Sequence, residues 1–230
     1  MKSIFNYTKQ HKIVRCCIAV FMLLLHVSIN SNAATYYSTA GGTLNPTTLT
    51  FWKTARNGTG ASPANFTSGD IFVVQGSGNG GSTPHLITTN TNWTISGASS
   101  KLQIENGARL TSTNQITLAA NSTFQVDNGG TYVHNNTGTP STSIYGGTES
   151  FGASSTVSIN RWASNSTVIT TGVTLPYGNL TINNSSFATN WNQSFSGAVN
   201  LCAGNFTMTT SGGGEFRFTA TGTTTITISG

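Results

Sequence analysis

The 230-residue chain has ten Lys and Arg against five Asp and Glu, but only 7% of its residues are charged, and its three cysteines are too few for a disulfide scaffold. Four of the cations, Lys2, Lys9, Lys12 and Arg15, precede residue 16, and beyond residue 33 six basic residues face five acidic ones, a net charge of +1. The sequence pI of about 9.3 therefore does not describe the bulk of the chain. Lys53, Arg56, Lys101, Arg109, Arg161 and Arg217 are scattered singly, which excludes the clustered basic patch that nucleic acid or an anionic membrane requires.

In chain order, residues 1–33 read as a secretory signal peptide. The four cations precede an apolar run of 14 residues, CCIAVFMLLLHVSI, shorter than the roughly 20 residues of a membrane-spanning helix. Ser31 and Ala33 then occupy the two small positions ahead of a cleavage after Ala33. The pattern predicts a secreted or outer-surface protein with no membrane span once the signal is removed. Cys16 and Cys17 leave with the signal, and Cys202 alone cannot form an internal disulfide.

Residues 34–70 contain Tyr36, Tyr37, Phe51, Trp52 and Phe66 with little alternation and are expected to form an N-terminal cap over the first open strand edge. From residue 71 to 230, apolar residues recur in pairs separated by one other residue: Ile71 and Val73, Leu102 and Ile104, Ile116 and Leu118, Phe124 and Val126, Val157 and Ile159, Leu180 and Ile182, and further pairs to Ile226 and Ile228. Such period-two pairs between Gly, Asn and Ser turns predict short strands with one buried face, and no helical stripe interrupts them. LQIENGARL at 102–110 is echoed by FQVDNGGTY at 124–132, an offset of 22, and GNLTI at 178–182 by GNFTM at 204–208, an offset of 26. A fixed offset of this size is the mark of a β-solenoid, a parallel β-helix in which each coil of roughly 22 residues rises by one strand spacing and equivalent residues stack. Leu102 would lie on Phe124, Ile104 on Val126 and Leu110 on Tyr132, with an amide ladder from Asn106 to Asn128 and left-handed glycines at Gly107 and Gly129. The alternative all-β arrangement is a β-sandwich. The pairs continue to the last residues, so the solenoid is expected to be truncated at its C-terminus and to self-associate through that edge.

NFTSGDIFVVQ (65–75), NWTISGASSKLQIENGARL (92–110) and DNGGTYVHNN (127–136) resemble the N-terminal region of large secreted surface proteins of Bacteroidetes-type bacteria. Proteins of that group combine a signal peptide, a parallel β-helix repeat region and a C-terminal sorting domain for type IX export. The resemblance implies an outer-surface location and a structural, adhesive or glycan-related role, and it implies no reaction.

The chemistry-bearing side chains are few. Glu105 and Asp127 hold equivalent positions one repeat apart, where two carboxylates could share a calcium ion or mimic a nucleophile and acid pair; they read first as solvated turn residues, with Arg109 screening Glu105. His85 and His134 show, with Cys202, no metal-ligand spacing, and the two histidines read as surface or turn residues. Trp52, Trp162, Trp191 and Tyr145 are candidates for stacking on sugar rings. Threonine pairs suggest an ice-binding array, but Thr111 and Thr113 fall opposite Val133 and Asn135, which breaks it. The expected protein is thus a non-catalytic structural or adhesive β-solenoid without cofactor, whose partners are surface glycans or other cell-surface proteins. A carbohydrate-active enzyme or carbohydrate-binding module on the same scaffold is the alternative.

Overall fold

The computed structural model describes residues 33–77, 83–136, 148–161, 174–183, 191–202, 204–209 and 216–228. The expected signal peptide, apart from Ala33, lies outside the described residues. Among the described residues no helix is long and apolar enough to cross a membrane.

The described residues are almost wholly strand and turn. In chain order the strands are β1 (Thr35–Ser38), β2 (Gly42–Leu44), β3 (Trp52–Lys53), β4 (Ile71–Val74), β5 (Leu86–Thr89), β6 (Trp93–Ile95), β7 (Lys101–Ile104), β8 (Arg109–Ser112) and β9 (Ile116–Leu118). They continue as β10 (Thr123–Val126), β11 (Thr131–Asn135), β12 (Thr148–Phe151), β13 (Thr156–Arg161), β14 (Thr174–Tyr177), β15 (Asn179–Asn183), β16 (Trp191–Cys202), β17 (Phe206–Thr209) and β18 (Phe216–Ile228). Four sheets result, in the orders β12-β10-β7-β4-β1-β3, β17-β15-β13-β11-β8-β5-β2, β14-β16-β18 and β6-β9. Every described pairing is parallel except that of β1 with β3.

The register follows from the alternation of side chains. Leu102 pairs with Phe124 and Ile104 with Val126, Leu110 with Tyr132, and Leu180 with Phe206. A parallel ladder puts such partners about 4.8 Å apart on the same face, so an apolar residue at every second position builds a continuous apolar column. One column runs Phe72, Leu102, Phe124; another runs Ile87, Leu110, Tyr132, Val157, Leu180. All eight side chains are at most 1% exposed and belong to one core cluster.

One expected face is corrected. In β4 it is Phe72 and Val74, not Ile71 and Val73, that continue the columns of Leu102 and Ile104. All four residues of IFVV are apolar, so alternation carries no information there; Val73 is buried too, but outside the core cluster.

The turn glycines behave as anticipated, with φ of 77° at Gly107 and 75° at Gly129, a region costly for residues with a Cβ. The amide ladder does not form. Asn128 Oδ1 instead accepts the Ser154 backbone N–H at 3.1 Å, and the same device recurs where Asn179 Oδ1 accepts from Asn205 N–H at 3.0 Å. Asn92 Oδ1 likewise accepts from Gln115 N–H, and Thr89 Oγ1 from Thr113 N–H. Between the strands, then, a polar side chain of one level satisfies a backbone donor of the next, which would otherwise lack a partner.

Residues 34–70 lie at the first end of both large sheets. The two-residue β3 runs antiparallel to β1 and ends the six-stranded sheet. Trp52, 1% exposed, stacks on Trp93 with ring centroids 5.1 Å apart and meets Phe72 edge-on at 5.4 Å. Its indole N–H donates to Pro46 O at 2.9 Å, so both the apolar ring and its polar atom are accommodated.

Candidate functional site

The densest polar constellation among the described residues surrounds Glu105, the residue that follows β7. Leu102 and Ile104 face inward, and at Glu105 the chain turns, with Ala108 N–H donating to Glu105 O at 3.0 Å. The Glu105 side chain is only 3% exposed. Its charge is met by Arg56, which donates through Nη1 to Oε2 at 2.8 Å and through Nη2 to Oε1 at 2.5 Å, while Gly76 N–H donates to Oε2 at 3.0 Å. The hydrogen bond to Glu105 is the chief reason the Arg56 guanidinium is held above its ordinary pKa. Arg56 sits on a loop closed by Thr54 N–H to Ala61 O and Ala55 N–H to Thr59 O, and its guanidinium lies 4.2 Å from the centre of the Tyr37 ring.

The same cluster continues inward. Gln75 Nε2 donates to Ser38 O and to Arg56 O, Gln75 N–H donates to Ser38 Oγ at 3.1 Å, and Ser38 Oγ lies 2.7 Å from His85 Nδ1. Burial depresses the His85 pKa and favours neutral imidazole. A serine beside a histidine invites comparison with a nucleophile and its base. Ser38 is fully buried, however, and its hydroxyl is engaged on both sides, so it presents no nucleophile to a substrate. The cluster joins residues 38, 56, 75, 85 and 105 into one knot.

Asp127, the equivalent of Glu105 on the next strand, is directed elsewhere. Gln103 Nε2 donates to Oδ2 at 2.7 Å and Gln125 Nε2 to Oδ1 at 2.6 Å, and Gln125 Oε1 accepts from Lys101 Nζ at 3.1 Å. An open cavity of about 450 Å³ adjoins this chain, lined by Asn106, Gln125, Asp127, Asn128, Ser150 and Gly152 among others.

These placements correct several expectations. Glu105 and Asp127 share adjacent levels but not a ligand site: one carboxylate is neutralised by Arg56, the other is held by two glutamine amides. Arg56, not Arg109, screens Glu105. Among the described residues no group of three or more His, Cys, Asp or Glu could hold a metal. Trp52 is buried in the aromatic group and offers no face to a sugar. Trp162 and Tyr145 lie outside the described residues; Trp191 opens β16, but its side chain is not among those described. His134 is not a surface residue: it is fully buried, with Nδ1 3.1 Å from the Tyr132 hydroxyl. Burial also drives the Tyr132 phenol far above its ordinary pKa.

Sequence reading passed over Glu149. It pairs with Phe124, so its half-buried carboxyl extends an apolar column, and desolvation raises its pKa. Alternation of Glu149 with Phe151 was the available signal. Compared with known proteins, the chain matches no family, no curated protein and no solved structure.

Proposed function

We propose that the chain is a secreted or cell-surface β-solenoid with a structural or adhesive role and no catalytic activity. The observation that carries this reading is the parallel pairing of successive strands through two long sheets, β1–β3 excepted, in which apolar side chains stack on apolar side chains over most levels. A β-sandwich pairs its strands antiparallel, whereas parallel stacks with inward columns suit a coil that advances one strand spacing per turn. Support for the non-catalytic part comes from the carboxylates. Glu105 is bound to Arg56, Asp127 to two glutamines, and Asp70 to a backbone N–H, so each of the three is already engaged, whereas glycoside hydrolysis uses two carboxyl groups that face the substrate.

The test is direct. The purified protein, incubated with neutral and acidic glycans, is expected to release no product. Turnover abolished by Asp127→Asn would replace this reading with the enzymatic alternative, since Asp127 borders the open cavity. Surface location is checked by fractionating the producing cell, with the protein expected outside the inner membrane.

A further inference from the structure

Among the described residues, Ala34 is the first tied into the fold. Its carbonyl accepts the Ile71 backbone N–H at 2.8 Å, its methyl packs against the core cluster, and its own N–H donates to Asp70 Oδ1 at 3.0 Å. Ala33, one residue earlier, is exposed. Asp70 is 6% exposed, and among the described residues no cation pairs with it, the ion pair there being Arg56 with Glu105. A carboxylate so far removed from water is costly unless an opposite charge faces it. A neutral peptide N–H is a weak answer to that demand.

We infer that the peptide bond between Ala33 and Ala34 is a processing site whose cleavage creates the missing cation, the Ala34 α-ammonium, as the ion-pair partner of Asp70. The inference rests on the secretion reading above and adds to it a specific bond and a structural use for the new terminus. Hydrolysis consumes one water: the Ala33 carbonyl carbon takes the hydroxyl and becomes a carboxylate, and the Ala34 nitrogen takes the protons and becomes an ammonium. An α-amine has a pKa of about 8, so it is charged at neutral pH, more so beside a carboxylate. The nitrogen is already in place, so only its charge changes. Two independent observations meet at this bond: the small residues Ser31 and Ala33 that an export peptidase reads, and the buried carboxylate of Asp70, which already accepts from the nitrogen of that bond.

The experiment uses the full chain expressed with its own leader. Mass spectrometry of the secreted protein is expected to give Ala34 as the first residue. In a second chain, one glycine inserted between Ala33 and Ala34 leaves the small residues before the cut intact but moves the charge off Asp70 and restores a neutral amide there. This insertion should raise the unfolding equilibrium constant about tenfold or more, and Asp70→Asn should abolish the difference between the two chains. Should Asp70→Asn fail to accumulate, the acylation rate of the terminal amine at neutral pH serves instead, slower for Ala34 than for the inserted glycine. Equal stabilities, or a difference that survives Asp70→Asn, would overturn the ion pair. So would equal acylation rates. Secretion with a different first residue would overturn it while leaving the secretion reading intact; retention of Met1 inside the cell would overturn both.

Discussion

Arg56 and Glu105 set the terms at the scale of single residues. The pair is bidentate and its acid is nearly fully buried, so the two partners are unequal. Removing the arginine leaves a carboxylate stranded in a low-dielectric setting, which typically costs about 3–5 kcal/mol. Removing both charges leaves only the Gly76 N–H and whatever else Glu105 touches to be accommodated. Arg56→Leu is therefore expected to lower the free energy of unfolding by about 3 kcal/mol or more, and Arg56→Leu with Glu105→Met to recover part of that loss, as measured by urea denaturation. A double substitution no more stable than the single one would show that the arginine matters for its packing on Tyr37 and not for its charge. Gly76 belongs to the same knot. A Cβ at that position would collide with the Asn106 carbonyl oxygen and come within 2.8 Å of Glu105 Cβ, so the close approach of the two levels depends on its absence.

At the scale of strands, the register is the central fact, and it can be trapped. Thr111 and Val133 are direct partners on β8 and β11, half-buried on the face away from the core. Partners in a parallel ladder lie about 4.8 Å apart, within the span a disulfide bridges. Cysteines at both positions should oxidise readily, while Thr111→Cys with Thr131→Cys, displaced two residues along β11, should stay reduced because their separation exceeds about 7 Å. Gel mobility with and without reductant reads the outcome; cross-linking of the displaced pair would mean the register is wrong. How legible this was depended on loop length. Leu102 and Phe124 are recognisable as partners because the segments that start at them, LQIENGARL and FQVDNGGTY, share one pattern at an offset of 22. The neighbouring steps are uneven: Phe72 to Leu102 is 30 residues, Phe124 to Glu149 is 25, and Leu180 to Phe206 is 26. Turns absorb such differences without disturbing the ladder, so a search for one fixed period sees only part of the stack. The Arg56–Glu105 knot was not legible at all, since its members are 49 residues apart and meet only after the levels have stacked. Likewise, His134 sits inside because period-two alternation from Tyr132 carries it there, although composition alone would have placed it in water.

For the whole molecule, the two ends of the stack differ. At the first end the six-stranded sheet finishes in β3, two residues long and antiparallel, which leaves little edge for another chain to extend. At the end of the three-stranded sheet lies β18, thirteen residues long and, among the described residues, paired with β16 alone. A long edge strand is a template for further pairing. The protein is accordingly expected to gain mass with concentration in light scattering, and Thr223→Lys with Thr225→Lys, which place two charges on that strand, to hold it at the mass of one chain. Mass that does not change with concentration in the unaltered protein would show that the β18 edge is protected.

The side chains of Thr89, Asn92, Asn128 and Asn179, each accepting from a backbone donor of the next level, carry a mechanical consequence. In most folds hydrogen bonds point in many directions, and a pull finds the weakest line among them. Here the bonds of the strands and those of the turns between them run along the same direction, so tension applied along the stack would be shared in parallel by corners and sheets together. Yielding at any level would require several bonds to break at once. That property would suit the structural or adhesive role proposed above.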